Sequence, residues 1–324
     1  MNNGGESIMV GSSGPNIRGK NEKPLSIRIL QSYQLYLFLF PAVLLLIIFN
    51  YLPMYGIIIA FKDFKPQLGI LGSPWAGFKY FDRFFSMPMF GVVLRNTLVL
   101  SFYELIAGFP LPILLALALN SSSRSKLKKL VQTVTYAPHF ISIVIIVGMI
   151  NIFFSPSMGI VRNLLHSAGI LEGNVDVLMK ATSFPHLYVW SGIWQSIGWN
   201  SIIYLGALSA VDPSLHEAAI VDGASKFKRI IHVDLPAILP TIVILLILNS
   251  GSIMSVGFEK TFLMQNAFNL SMSEVINTYV YKIGIKEAQY SLSSAIGLFN
   301  SGVNFIMIIL VNQISKRLGQ ESLW

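Results

Sequence analysis

Residues 209–240 read SAVDPSLHEAAIVDGASKFKRIIHVDLPAILP, a polar segment that overlaps two long apolar runs at its ends, 186–211 and 237–258. It is too charged to cross a bilayer and too well punctuated to be a shapeless linker. Asp212 stands where a side-chain oxygen can cap a helix. Pro213 suits the first helical position, where its missing N–H would have had no partner, and Gly223 can end the helix in a left-handed turn. The spacing predicts one helix of about ten residues. Ser225 can start a second, in which Phe227, Ile230 and Ile231 share a face while Lys226, Lys228 and Arg229 fall mostly elsewhere. Leu235 and Pro236 then lead into the next apolar run. On the first helix Leu215, Ala218 and Ala219 form a face that another backbone can approach closely, and Glu217 offers a carboxylate to a cationic partner. The expected product is a short knob suited to a groove in another protein.

The chain around this segment has 324 residues, 53% hydrophobic and 12% charged, with a mean hydropathy of +0.63. An ordinary soluble domain carries about a quarter charged residues. Six mostly apolar stretches, 34–61, 96–119, 131–154, 186–211, 237–258 and 291–314, together hold 148 residues but only one of the 38 Lys, Arg, Asp and Glu residues, Glu104. Even scatter would place about seventeen charges there, and each stretch is long enough to cross about 30 Å of hydrocarbon as a helix. The expected fold class is an all-α integral membrane protein with six transmembrane helices.

Residues 1–32 lack apolar periodicity and read as a flexible N-terminal tail. The densest cationic loop is 120–130, NSSSRSKLKKL, with four cations in eleven residues, which places that loop and both termini on the cytoplasmic side. The external loops are then 62–95, 155–185 and 259–290. The aromatic run 71–85, LGSPWAGFKYFDRFF, is expected at the outer interface. Pro41, Pro53, Gly108, Pro110, Pro112, Pro138, Gly192 and Gly198 recur inside the spans, as membrane helices allow where neighbours satisfy the freed backbone groups.

Several classes of function fall away. The net charge of +8 is not gathered on a soluble recognition fold, so nucleic acid is not an expected partner. With no cysteine there is no disulfide framework, thiolate metal site or cysteine nucleophile. His216-Glu217 begins like a zinc-hydrolase motif, but Ile220 stands where the second histidine must be. His139, His166, His186 and His232 show no metal-ligand spacing. No G-x-x-x-x-G-K-[ST] phosphate loop is present, so ATP and Mg are expected on a partner chain and no cofactor on this one.

Glu217-Ala218-Ala219, three residues, Gly223, nine residues, Val233, one residue, Leu235-Pro236 resembles the cytoplasmic EAA loop of permease subunits in binding-protein-dependent ABC importers. The one departure is Val233 where isoleucine is usual. The resemblance implies a type I importer permease fold, with this loop seated in a groove of a separate ATPase. It carries over Glu217, Ala218, Ala219, Asp222, Gly223, Leu235 and Pro236 as coupling residues. FNYLPMYGIIIAFKDFKPQLGILGSPWAGFKYF (49–81), YAPHFIS (136–142), SGIWQSIGWNSIIYLGALS (191–209), VGFEKTFLMQN (256–266) and NTYVYKIGIKEAQYSLSSAIGLF (277–299) are similar to the subgroup importing oligo- and polysaccharides, most of all to alginate-importer permeases. By that resemblance the chain lies in a bacterial cytoplasmic membrane. Its implied partners are a second, related permease, two ATPase subunits, an external solute-binding protein and a glycan. The implied organisation is a first helix and external loop over 33–91, a five-helix core over 92–316 holding the coupling loop at 209–240, and a C-terminal tail over 317–324.

A sugar path needs hydrogen-bonding groups beside flat apolar faces. The candidates are Trp190, Trp194, Trp199, Asn200 and Tyr204 on the fourth span, Asn249 on the fifth, and Asn96 and Tyr103 on the second. Asn304 on the sixth is a further one. Glu104 is costly to bury and therefore a functional candidate, lining the path, pairing with a partner chain or serving as the proton site of an ion-coupled secondary transporter.

Overall fold

The computed structural model describes residues 33–155, 159–169 and 176–323. The tail expected over 1–32 lies outside them. The chain separates into two compact units, one ending at Gly56 and the other running from Ile57. The first contains α1 (Tyr33–Leu46), which has no buried side chain despite Leu, Phe and Tyr on every face. A helix apolar all round fits a lipid environment. The backbone then widens to a π-turn over Ile47–Tyr51, just ahead of Pro53. Proline cannot donate to the carbonyl four residues back and its ring crowds that group, so a wider turn absorbs the mismatch.

The second unit comprises α2 (Lys79–Ser86), α3 (Pro88–Gly108), α4 (Pro110–Ser121), α5 (Ser125–Tyr136), α6 (Ile143–Phe153) and α7 (Phe184–Ser209). It continues through α8 (Pro213–Val221), α9 (Lys226–Arg229), α10 (Leu235–Ser250), α11 (Phe258–Met264), α12 (Ile276–Tyr281) and α13 (Tyr290–Arg317). Among the described residues the extended pairing is a single antiparallel bridge between Lys62 and Trp75. Helix α7 is the hub, packing on α3, α4, α5 and α10, while α13 packs on α2, α10 and α12. The hub buries Tyr188, Val189 and Ile193 toward Leu100 and Val256 at one level, and Tyr204 and Leu208 toward Ile113, Leu117 and Ile238 at another.

Among the described residues four helical runs are long and apolar enough to span a membrane: Tyr33–Phe61, Pro88–Ser121, Lys226–Ser250 and Tyr290–Arg317. Pro110 therefore does not end the second span. The third expected span, 131–154, is not straight: Ser125–Phe140 and Ile143–Phe153 meet at 101°. Pro138 lies in a tight 3₁₀ turn, and Ser142 restarts the helix by accepting from Ile145 N at 3.4 Å. The Ile141 carbonyl exposed by the bend accepts from Gln195 Nε2 at 2.9 Å. Helix α7, at 26 residues, has the length of a span and no Asp, Glu, Lys or Arg, but its tryptophans, glycines, Gln195 and Asn200 leave it less apolar than the four runs above.

The fifth expected span also stops early. Helix α10 ends at Ser250, and 251–257 is irregular. Its backbone groups are taken up by side chains: Met254 N donates to Asn304 Oδ1 (2.8 Å), Asn277 Nδ2 donates to the Val256 carbonyl (2.8 Å), and Gly257 N donates to the Tyr188 hydroxyl (3.1 Å). Irregular backbone within a membrane bundle persists only where protein buries it or it borders a cavity.

The segment 62–95 is a folded cap. Lys62 Nζ donates to the carbonyls of Ile70 (2.7 Å) and Leu71 (3.1 Å), Phe61 stacks on Trp75, and Phe64 N donates to Ser291 Oγ at 2.9 Å. Asp63 accepts from the Tyr80 hydroxyl, which with Lys79 at 3.6 Å holds its carboxyl below the usual carboxylate range. At the other end, the expected C-terminal tail turns back onto α13, where Leu323 N donates to Asn312 Oδ1 at 2.8 Å.

Candidate functional site

The polar loop folds as its caps dictate. Asp212 Oδ1 accepts from Ser214 N at 2.9 Å, a bond that also lowers the Asp212 carboxyl's pKa, and Pro213 opens the nine-residue α8. Gly223 has φ +75°, the Gly223 N–H donates to the Ile220 carbonyl (3.0 Å), and the Ala224 N–H donates to the Ala219 carbonyl (2.8 Å). This paired closure is the Schellman stop, and its αL position suits glycine. Ser225 then caps α9, accepting from Lys228 N at 3.4 Å.

Glu217, Ala218, Asp222, Gly223 and Pro236 are exposed, and Ala219 and Leu235 are half-buried. Val221 is 86% exposed and Phe227 70%. Two bare apolar side chains on a capped helix pair make a surface ready for a partner. Of these, Val221 escapes sequence reading because it lies off the Leu215, Ala218, Ala219 face. Also unforeseen is a buried carboxylate at the base of the loop. Asp234 accepts from Asn120 Nδ2 at 3.2 Å and faces His216 Nε2 at 3.3 Å.

A cavity of about 390 Å³ opens between α3, α4, α7, α10 and the irregular 251–257 segment. Four sequence candidates meet there: Glu104, Asn200, Tyr204 and Asn249. Ser101, Ser196, Ser252 and Ser255 add hydroxyls, while Leu105, Ile193, Ile203 and Leu245 supply apolar wall. Asn249 is occupied with the Leu245 carbonyl (2.7 Å) and Ser196 with that of Gly192 (2.8 Å). Asn200, Tyr204 and Glu104 line the same cavity.

Behind Glu104 lies Lys260, 6% exposed, whose Nζ donates to the Tyr188 carbonyl at 2.7 Å and sits 4.8 Å from the Tyr188 ring centre. The two charged groups face one another across Gly192, where an added Cβ would come within 3.1 Å of Lys260 Nζ and 3.9 Å of Glu104 Oε1. Lys260 falls in a stretch expected to be an external loop. Its burial arises because α11 packs on α6 and α7, a long-range contact without local signal.

The other candidates lie elsewhere. Asn96 is buried and donates to the carbonyls of Ser271 and Glu274, each at 3.0 Å, stitching α3 to the segment before α12. Trp190 Nε1 donates to the Tyr103 hydroxyl at 2.8 Å, and that hydroxyl lies 2.9 Å from His186 Nδ1, forming an exposed aromatic set outside the cavity. Trp194 is exposed. Trp199 stacks on His139 with centroids 4.4 Å apart and planes within 3°. Among the described residues no cluster of His, Asp and Glu is placed to hold a metal ion.

The family described as binding-protein-dependent transport system inner membrane component matches residues 108–320, and the chain belongs to it. It is 42% identical, over 94% of both chains, to the polygalacturonan/rhamnogalacturonan transport system permease protein YteP of Bacillus subtilis (strain 168). It is 44% identical to protein LplB of the same strain, over 90% of this chain and 91% of that one. Among solved structures it superposes with a TM-score of 0.83 on a chain from a bacterial ABC transporter involved in import of the acidic polysaccharide alginate. That chain shares 39% identity, with 91% of this chain and 99% of the other covered.

Proposed function

We propose that this chain is one of two related permease subunits of an ATP-driven importer, and that it carries an acidic oligo- or polysaccharide into the cytoplasm by alternating access. The observation that carries the reading is α8: exposed, capped at both ends, and presenting Glu217 and Ala218 beside the bare side chains of Val221 and Phe227. It has the form of a knob that a separate ATPase can grip. ATP binding then favours an outward-open bundle and hydrolysis an inward-open one, through contacts that differ between the two states. An external binding protein delivers the glycan, the loop 209–240 and both termini face the cytoplasm, and ATP and Mg belong to the ATPase. Glu217→Lys is expected to weaken recovery of the ATPase with this chain roughly tenfold or more, by presenting the wrong sign to a cationic pocket. Quantitative co-purification from solubilised membranes reads that loss, and unchanged recovery would remove the ion-pair role.

The cavity suits the cargo. Sugars show hydroxyls at their edges and C–H groups on their faces, and the wall offers an amide, hydroxyl and carboxylate among Leu and Ile side chains. Relatives that handle polygalacturonan and alginate point to uronic-acid chains. Lys260 behind Glu104 offsets a charge that would otherwise repel such a substrate. Glu104 is then an acceptor for sugar hydroxyls.

The test is uptake by the reconstituted complex. Oligogalacturonide or oligoalginate should enter only with hydrolysable ATP, and a neutral maltooligosaccharide should not compete. Glu104→Gln should raise the half-saturating sugar concentration at least tenfold, since a hydrogen bond to a charged group contributes about 1.5–3 kcal/mol. Should an uncoupler stop uptake while ATP is maintained, with Glu104→Gln inactive at every sugar concentration, the ion-coupled alternative would replace this one.

A further inference from the structure

Asp234 is a buried carboxylate, 2% exposed, in the five-residue π-turn Ile230–Asp234 that returns the loop to the membrane bundle. Pro236 explains the turn: it cannot donate to the carbonyl four residues back, and the wider winding ahead of it carries Asp234 inward. There its Oδ1 accepts from Asn120 Nδ2 at 3.2 Å and lies 3.3 Å from His216 Nε2. Asn120 belongs to the last turn of α4, and His216 to α8. One oxygen atom thus gathers the knob helix, the end of α4 and the start of α10.

Both of those membrane helices reach the cavity, α4 through Pro112 and α10 through Leu245 and Asn249. Along the chain, α8 connects to α10 by way of the turn at Gly223 and the helical run that begins at Lys226. A buried carboxylate without partners is costly, so where one exists its contacts tend to be kept together.

We propose that Asp234 is a positioning residue that clamps α8 to α4 and α10, so that displacement of the knob moves two walls of the cavity as one body. This rests on the coupling role proposed above for α8, and it assigns to His216, Asn120 and Asp234 the transmission of that movement. Asp234 touches neither sugar nor ATPase; it acts through the helices it joins.

The test uses the whole complex, this chain with its partner permease, ATPase and binding protein, and reads sugar moved per ATP hydrolysed. His216→Ala and Asn120→Ala should each lower that ratio by roughly tenfold, the scale of a coupling free energy between sites, while the ATPase still co-purifies. The double variant should fall no further, because either change opens the same clamp. His216→Arg, which places a hydrogen-bond donor within reach of Asp234, should recover most of the ratio. Asp234→Ala is expected to match the double variant, but burial makes it prone to misfold, so the two partner substitutions carry the decision. Multiplying losses in the double variant, or an unchanged ratio with the ATPase still bound, would overturn the clamp. Failure of the unmodified chain to bring down any ATPase would strike instead at the coupling role itself.

Discussion

Gly198→Val should all but eliminate folded protein from the membrane. A Cβ built at this position of α7 would overlap the carbonyl oxygen of Thr135 and come within 2.8 Å of Tyr136 Cδ1. The main obstacle is backbone, which cannot rotate away as a side chain could. Overpacking typically costs 1–3 kcal/mol and occasionally more, and here about 3 kcal/mol or more is expected. The contact is central: α7 against α5 places the 101° bend, the Gln195 bond to the Ile141 carbonyl and the stacking of Trp199 on His139. Yield and melting temperature of the purified complex measure the loss. Gly206→Ala, on the same helix with nothing within 4 Å of its added carbon, is the control. Alanine there should be neutral or stabilising by up to about 1 kcal/mol. Equal behaviour of the two variants would show that the close approach is not what fixes α7.

The second large effect separates transport from folding. At Gly223 nothing lies within 4 Å of an added Cβ, but φ is +75°. Gly223→Val therefore meets no clash at its Cβ; what it meets is the cost of placing a β-branched residue in a left-handed conformation, about 1–3 kcal/mol. The least costly escape is to unmake the paired closure onto Ile220 and Ala219 and let the end of α8 drift. The bundle should remain in the membrane at near-normal level while sugar uptake falls to roughly a tenth or less. Wild-type uptake in this variant would sink the coupling assignment, and loss of the protein itself would show that the loop is needed for folding.

What the sequence discloses here follows from whether its signals are local. Helix α8 was legible because Asp212, Pro213 and Gly223 act on backbone groups within a few residues of themselves. The apolar stretches were legible because charge exclusion needs no partner to be seen. Their interruptions were not foreseen: 251–257, GSIMSVG, lies inside an apolar stretch with no proline or charge to mark a stop, and its irregular path depends on Asn304, Asn277 and Tyr188 from elsewhere in the chain. The bend at Ile141 was half-announced by Pro138, whereas the Gln195 that receives it lies 54 positions away.

The same division holds in the cavity. Asn200 and Tyr204, one helical turn apart, could be paired from spacing alone and do share the cavity with Glu104 and Asn249. Trp190 and Trp194 have the same spacing yet lie outside it, since periodicity assigns residues to a face without saying what that face meets. Lys260 and Asp234 gave no local sign. Each is a charged residue in a polar stretch, and only tertiary packing turns it inward.

In the proposed importer this chain is one of two membrane subunits and is gripped by the ATPase at α8. The most direct test is to tag the chain in its native host, extract it gently and identify by mass spectrometry what accompanies it, beside a Glu217→Lys version. An ATPase and a second, related permease should accompany the unmodified chain in stoichiometric amount, and the ATPase alone should be largely lost from the variant. Repeated isolation of the unmodified chain by itself, stable and moving sugar after reconstitution without ATP, would contradict this arrangement.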